Sequence, residues 1–209
     1  FAALLGSRFE SGATEEFLSD LEASSTVPRS DTHLHAPLSE EGRLICFGGV
    51  YTNHLRERGV KLNRDPNQWL MPETAIIGPD RSIELPDRED NEVLPAIELG
   101  LVIGKGGKYI DEKDAVDHIA GYTIVNDVTE RGSWPGPMGY KMLDTFSPCG
   151  PHVVTRDEVE DPLSLDMEIS LDGESICRGS TAGMHFTIPF LVSYLSTFVE
   201  LRPGDILAT

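Results

Sequence analysis

Four groups of residues in this sequence have the types and spacing to do chemistry. Glu98 sits in LPAIELGLVIGK (94–105), a carboxylate on an otherwise apolar run. Asp127 closes a second apolar run as Asn126-Asp127, and Glu130-Arg131 follow. Lys141 lies in GYKMLDTF. His54 and Glu57 are three apart in NHLRE, the spacing that shares one helix face. Two carboxylates at strand ends offer hard oxygen ligands, which suit Mg²⁺ or Ca²⁺ better than zinc. A lysine and an arginine nearby suit an anionic substrate, and a histidine backed by a glutamate suits a base that activates water. Each group also has a plainer reading. Glu98 can form an internal salt bridge with Lys141 or Arg131, Asp127 can be a turn residue, and His54 with Glu57 can be a surface pair.

The elements that must position these residues read mostly as strands. Ile97, Leu99, Leu101 and Ile103 alternate with a face that carries Ala96, Glu98, Gly100 and Val102. A charge on such a face is costly unless it is paired or bound to a metal. Strand-like runs also cover 43–51, 74–78, 81–86, 121–128, 151–155 and 164–173. Turn signals separate them at Pro79-Asp80, Gly106-Gly107, Pro135-Gly136-Pro137, Asp172-Gly173 and Pro203-Gly204. Asp172-Gly173 predicts a hairpin. Helices are expected at 13–23, around 52–57, at 114–120 and at 190–198, with 24–42 a linker and 59–69 a loop. Strands and helices do not alternate in βαβ order. The pattern predicts a mostly-β, α+β fold with short helices and an antiparallel or mixed sheet.

Composition narrows the function classes. At 209 residues the chain suits one sizeable domain, or one domain with a small appendage. Thirty-five acidic against 17 basic residues give a net charge of −18, which argues against nucleic acid or an anionic membrane as partner. No run approaches the roughly 20 apolar residues of a membrane span. Phe1 opens the chain without a signal-peptide pattern, and Thr209 closes it straight after an apolar run, so both ends are expected to be truncations. Cys46, Cys149 and Cys177 are odd in number and far apart, with no CxxC spacing. That argues against a disulfide framework or a cysteine zinc site and for buried, inert thiols in a reducing cytoplasm. His33-x-His35 and GKGGK (104–108) are weaker signals, a polar-loop metal pair and an incomplete phosphate loop.

Between Arg43 and Thr209 the segments RLICFGGVYTNHLRE, TAIIGPDRSIELP, IELGLVIGKGGKYIDEKDAVDHIAGYTIVNDVTER, KMLDTFSPCGPHVVT, GESICRGSTAGMHF and LRPGDILAT follow one another. In this order they resemble the fumarylacetoacetate hydrolase family, the third being the most specific. The resemblance implies a mixed β-sandwich roll over 43–209, after a remnant of a variable amino-terminal region and linker over 1–42. It implies a homodimer with Mg²⁺ or Mn²⁺ that acts on a small anionic 2-oxo or diketo acid. The reactions implied are C–C bond hydrolysis, decarboxylation or keto–enol isomerisation. Glu98 and Asp127 match two of the family's three metal-binding acids. Lys141 matches its site lysine, Arg131 the arginine after the metal aspartate, and His54 with Glu57 the dyad that activates water in the acylpyruvase-like branch. Ala96, Met71 and Trp134 depart from the family's glutamate, lysine and glutamine, and the chain stops where the family continues into a Thr- and Gly-rich loop. A second reading follows from these departures: a metal-free family member acting as a binding or scaffold protein. A third keeps catalysis with a bulkier substrate.

Overall fold

Apolar residues occupy both faces of the strand around Glu98, and the sheet built on it is covered on both sides. The computed structural model describes residues 28–39, 41–57, 59, 61–62, 64–87, 92–131 and 140–209. The helix expected at 13–23, the Pro135-Gly136-Pro137 turn and Trp134 lie outside them. In chain order the elements are β1 (Leu44–Gly48), α1 (Thr52–Glu57), β2 (Asn67–Leu70), β3 (Ile76–Ile77), β4 (Glu92–Leu94), β5 (Ile97–Ile103), β6 (Ile119–Asn126), β7 (Thr129–Arg131), β8 (Ser147–Pro148), β9 (Val154–Thr155), β10 (Asp166–Leu171), β11 (Glu174–Ser180), α2 (Ile188–Phe198) and β12 (Ile206–Ala208).

The main sheet runs β2-β1-β12-β5-β6-β9. Only the β1–β12 pairing within it is parallel, so the sheet is mixed. Alternation splits its side chains between two cores. Ile45, Phe47, Leu99, Leu101, Ile103 and Leu207 face one core. Leu44, Cys46, Val102, Val125, Ile206 and Ala208 face the other, where Met71 and Cys149 join them.

α2 closes the first core. Ile188, Leu191, Val192 and Leu195 recur at helical spacing and are buried. Thr187 caps its start by accepting the Phe190 amide at 3.2 Å, and a proline stands in its first turn. Smaller pairings flank the sheet: β3–β8, β4–β7 and the β10–β11 hairpin. Asp172 and Gly173 form that hairpin's turn with φ of 53° and 84°, the positive values that a type I′ turn requires.

The structure corrects four local expectations. Residues 81–86 form no strand; the Glu84 amide donates to the Thr145 hydroxyl at 2.7 Å instead of to a ladder partner. Asn67–Leu70, expected as loop, is an edge strand on β1, and its polar residues face solvent as an outermost strand allows. The short helix expected at 114–120 is a 3-10 helix, Glu112–His118, and Ile119 and Ala120 already belong to β6. Cys177 is exposed on β11, whereas Cys46 and Cys149 are buried as expected.

Candidate functional site

β5 and β6 bring the two acids together. Glu98 pairs with Val125 in the β5–β6 ladder, and Asp127 lies just past the end of β6. The Asp127 amide donates to the Ala96 carbonyl at 2.8 Å, and the Ala96 amide donates to Asn126 Oδ1 at 3.1 Å. These bonds fix the chain before β5 against the end of β6. Lys141 completes the group. Its Nζ is ion-paired with Asp127 Oδ2 and donates to Thr129 Oγ1 at 2.9 Å. The same Nζ lies 5.5 Å from the centroid of the Trp69 ring on β2, a cation–π contact. The Lys141 side chain is 16% exposed and that of Asp127 is 4% exposed, so the pair is largely removed from water.

Burial sets the protonation balance here. Loss of water pushes the Glu98 carboxyl well above its ordinary range; the charge of Asp127 pushes it further, and Lys141 pulls it back. Burial also raises Asp127, outweighing the opposing pull of Lys141. The Cys46 thiol rises through burial and then through the charges of Asp127 and Glu98. Tyr51, next to α1, is pushed up to about 12, chiefly by burial, and feels Glu98 as well. Its hydroxyl shares a hydrogen bond with Thr209 Oγ1 at 2.7 Å.

Glu98 Oε2 and Asp127 Oδ1 are shielded from solvent and make no hydrogen bond. Two carboxylates held together with unused, buried oxygens fit a divalent cation, which would relieve both the desolvation and the mutual repulsion. Among the described residues no group of three His, Cys, Asp or Glu is placed to hold a metal ion.

A pH dependence follows from Glu98. Its carboxyl is raised in the fold, so folding favours the protonated form. The stability it contributes is complete below the ordinary glutamate pKa of about 4.3 and is lost as pH rises through the raised value. Metal-free protein is therefore expected to lose melting temperature as pH climbs across that window, and Glu98→Gln to lose less. Calorimetric scans of both proteins in chelator over that range check this; parallel curves would contradict it.

The remaining sequence candidates are exposed to solvent. His54 and Glu57 are both exposed on α1. Arg131 is exposed at the end of β7, opposite Glu92 on β4. Strand alternation places it on the Thr129 side, one pleat further from Asp127. The structure gathers Glu98, Asp127 and Lys141, while His54, Glu57 and Arg131 are exposed to solvent. Lys141 pairs with Asp127 and not with Glu98, so the plainer alternative of a Glu98–Lys141 salt bridge does not hold.

Thr129, Trp69, Tyr51 and Thr209 were not singled out in the sequence. Only Thr129 left a signal, standing two residues past Asp127 and therefore on the same side of an extended chain. Glu130, between Thr129 and Arg131, is fully buried, and both its carboxylate oxygens lack a hydrogen bond.

Comparison with known proteins bears on the fold and the family. Residues 43–209 match the family model of the fumarylacetoacetate hydrolase C-terminal domain. The chain is 39% identical over 188 residues to the mitochondrial oxaloacetate tautomerase FAHD2A of Bos taurus, covering 88% of this chain and 60% of that protein. It superposes on maleylpyruvate hydrolase from Sphingobium sp. SYK-6, crystallised with manganese(II) and pyruvate, with a TM-score of 0.84 at 28% identity. That superposition covers 100% of this chain and 73% of the hydrolase. The 5-carboxymethyl-2-hydroxymuconate delta-isomerase of Mycobacterium smegmatis superposes with a TM-score of 0.75 at 35% identity, covering 89% and 73% of the two chains. The fold is that of these enzymes, a mostly-β roll with few short helices. The chain belongs to the fumarylacetoacetate hydrolase family.

Proposed function

We propose that this protein is a divalent-metal-dependent enzyme of small 2-oxo acids, and that its reaction is keto–enol isomerisation of a 2-oxo diacid such as oxaloacetate. The observation that carries the reading is the pair of buried, unpartnered oxygens on Glu98 and Asp127 beside the Lys141 ammonium. Mg²⁺ or Mn²⁺ held by Glu98 and Asp127 would act as a Lewis acid on the 2-oxo oxygen. Asp127 and Thr129 hold Lys141 in place, so its ammonium meets developing negative charge without reorganising. The Trp69 ring, 5.5 Å from that ammonium, adds a cation–π attraction that holds it. His54, one helical turn from Glu57, is the group that takes a proton from the substrate carbon or from water. Isomerisation needs only an enolate and a proton carrier, so it makes fewer demands on the exposed dyad than C–C hydrolysis does.

The relatives' names set the test panel: oxaloacetate, maleylpyruvate and 5-carboxymethyl-2-hydroxymuconate, each with Mn²⁺ or Mg²⁺. Metal-dependent conversion of enol- to keto-oxaloacetate, followed by ultraviolet absorbance, is the expected result. Turnover of maleylpyruvate alone would move the reaction to hydrolysis. No turnover of any of the three and no bound metal would favour the metal-free binding protein that Ala96 suggests.

A further inference from the structure

A cleft of about 350 Å³ lies on the other face of the main sheet from Glu98. Tyr122 on β6 lines it, pairs with Leu101 and faces the first core, whereas Glu98 pairs with Val125, which faces the second. The apolar walls of the cleft come from Val159, Pro162, Leu163, Ile188 and Pro189. Two polar side chains in it have donors to spare. Tyr122 is 4% exposed, and among the described residues its hydroxyl has no hydrogen-bond partner. A buried hydroxyl in that state carries a cost that a ligand can relieve. Arg156 Nη1 donates to the Val116 carbonyl at 2.6 Å and to Asp117 Oδ1 at 3.0 Å. Those bonds anchor the guanidinium and use both Nη1 hydrogens. Its Nε–Nη2 edge stays available, and such an edge grips a carboxylate through two parallel bonds. Burial raises the Tyr122 hydroxyl and the Arg156 charge pulls it back, so the two groups are within electrostatic reach of each other. The wall opposite is braced by its own turn, where Asp161 Oδ1 accepts the Leu163 amide at 2.9 Å.

We propose that this cleft binds a small monocarboxylate with an apolar body, an aromatic acid of the size of benzoate. The carboxylate lies along the Arg156 Nε–Nη2 edge and accepts from the Tyr122 hydroxyl, while the ring packs on Val159, Leu163 and Ile188. Glu160 and Asp161 line the same cleft and repel a second negative charge, so diacids are turned away. The site differs in chemistry from one for 2-oxo diacids, and it stands whether or not a metal binds at Glu98 and Asp127.

The test is calorimetric titration of benzoate into the protein in chelator. Saturable binding is expected, with phthalate and benzyl alcohol at least about tenfold weaker. Tyr122→Phe keeps the ring and is expected to weaken benzoate about tenfold, the usual loss of one hydrogen bond to a charged acceptor. Leu163→Trp fills the cleft and abolishes binding, and Glu98→Gln binds benzoate as the parent does. In the parent itself, the benzoate ring protons are expected to show nuclear Overhauser contacts with the Leu163 and Ile188 methyl groups, a readout that needs no variant. No binding of benzoate by the parent overturns the proposal. So does binding that phthalate matches, that Tyr122→Phe and Leu163→Trp leave unchanged, or that Glu98→Gln removes, since the last would place benzoate at the acid pair.

Discussion

In the Lys141→Met variant, turnover of a 2-oxo acid is expected to fall by about 10²–10³-fold, the usual consequence of removing one preorganised donor from a developing oxyanion. The structure gives a reason to expect the loss in kcat and not in metal binding. Lys141 occupies Asp127 Oδ2, so under the proposed function it would compete with a metal ion for that carboxylate. Its removal leaves Asp127 with two free oxygens, and Mn²⁺ should bind at least as tightly as in the parent. Methionine keeps most of the apolar stem of a largely buried side chain, so melting temperature with Mn²⁺ present should change little. Steady-state kinetics with a Mn²⁺ titration separates the two effects. A kcat within about threefold of the parent would remove Lys141 from the reaction.

The largest loss of stability is expected away from the site, at Asp205. Its carboxylate is fully buried and accepts from the Arg43 amide at 3.0 Å, Arg43 Nε at 3.1 Å, Arg43 Nη2 at 2.5 Å and the Arg202 amide at 2.9 Å. The Asp205 charge holds the Arg43 guanidinium above its usual range through this hydrogen bonding. Asp205→Ala strands two backbone amides and leaves the Arg43 guanidinium, only 26% exposed, with its bond to the Glu200 carbonyl at 2.7 Å but no countercharge. Breaking such a pair costs about 3–5 kcal/mol, because the surviving charge stays desolvated. At about 2–4 °C per kcal/mol, the melting temperature should drop by roughly 10 °C. Asp205→Asn keeps one acceptor and should cost less, and urea titrations of both variants give the comparison. A loss below about 1 kcal/mol in Asp205→Ala would mean that solvent reaches the pair.

Much of this architecture was legible from period and turn chemistry alone. β5 announced itself because its apolar alternation is long, and α2 because its apolar spacing is helical. The β10–β11 turn was legible because an Asp-Gly pair suits two positive φ values in succession. β2 was not, since an edge strand with one solvated side carries no apolar alternation. Residues 81–86 misled for the opposite reason: their period suits a strand, but a strand also needs a neighbour, and local sequence does not encode the neighbour. The candidate site divides the same way. Glu98, Asp127 and Lys141 are visible by type, because charge on or beside apolar strands is unusual. Their division of labour is not, since the pairing of Lys141 with Asp127 depends on how separate segments cross in space. Trp69 and Tyr51 arrive from β2 and the start of α1, and nothing in their own neighbourhoods marks them.

β12 lies between β1 and β5, although it follows both by a long stretch of chain: Ile206 pairs with Leu44 on one side and with Val102 on the other. Both central seams of the sheet therefore wait for the same three residues. Loop closure over such separations is slow, and β1 and β5 expose unpaired edges until it happens. On a ribosome, the cores on the two faces cannot consolidate until Ile206–Ala208 has left the exit tunnel. Asp205 is the residue that fixes the register of that late arrival, since it clamps Arg43 at the head of β1 just before β12 begins.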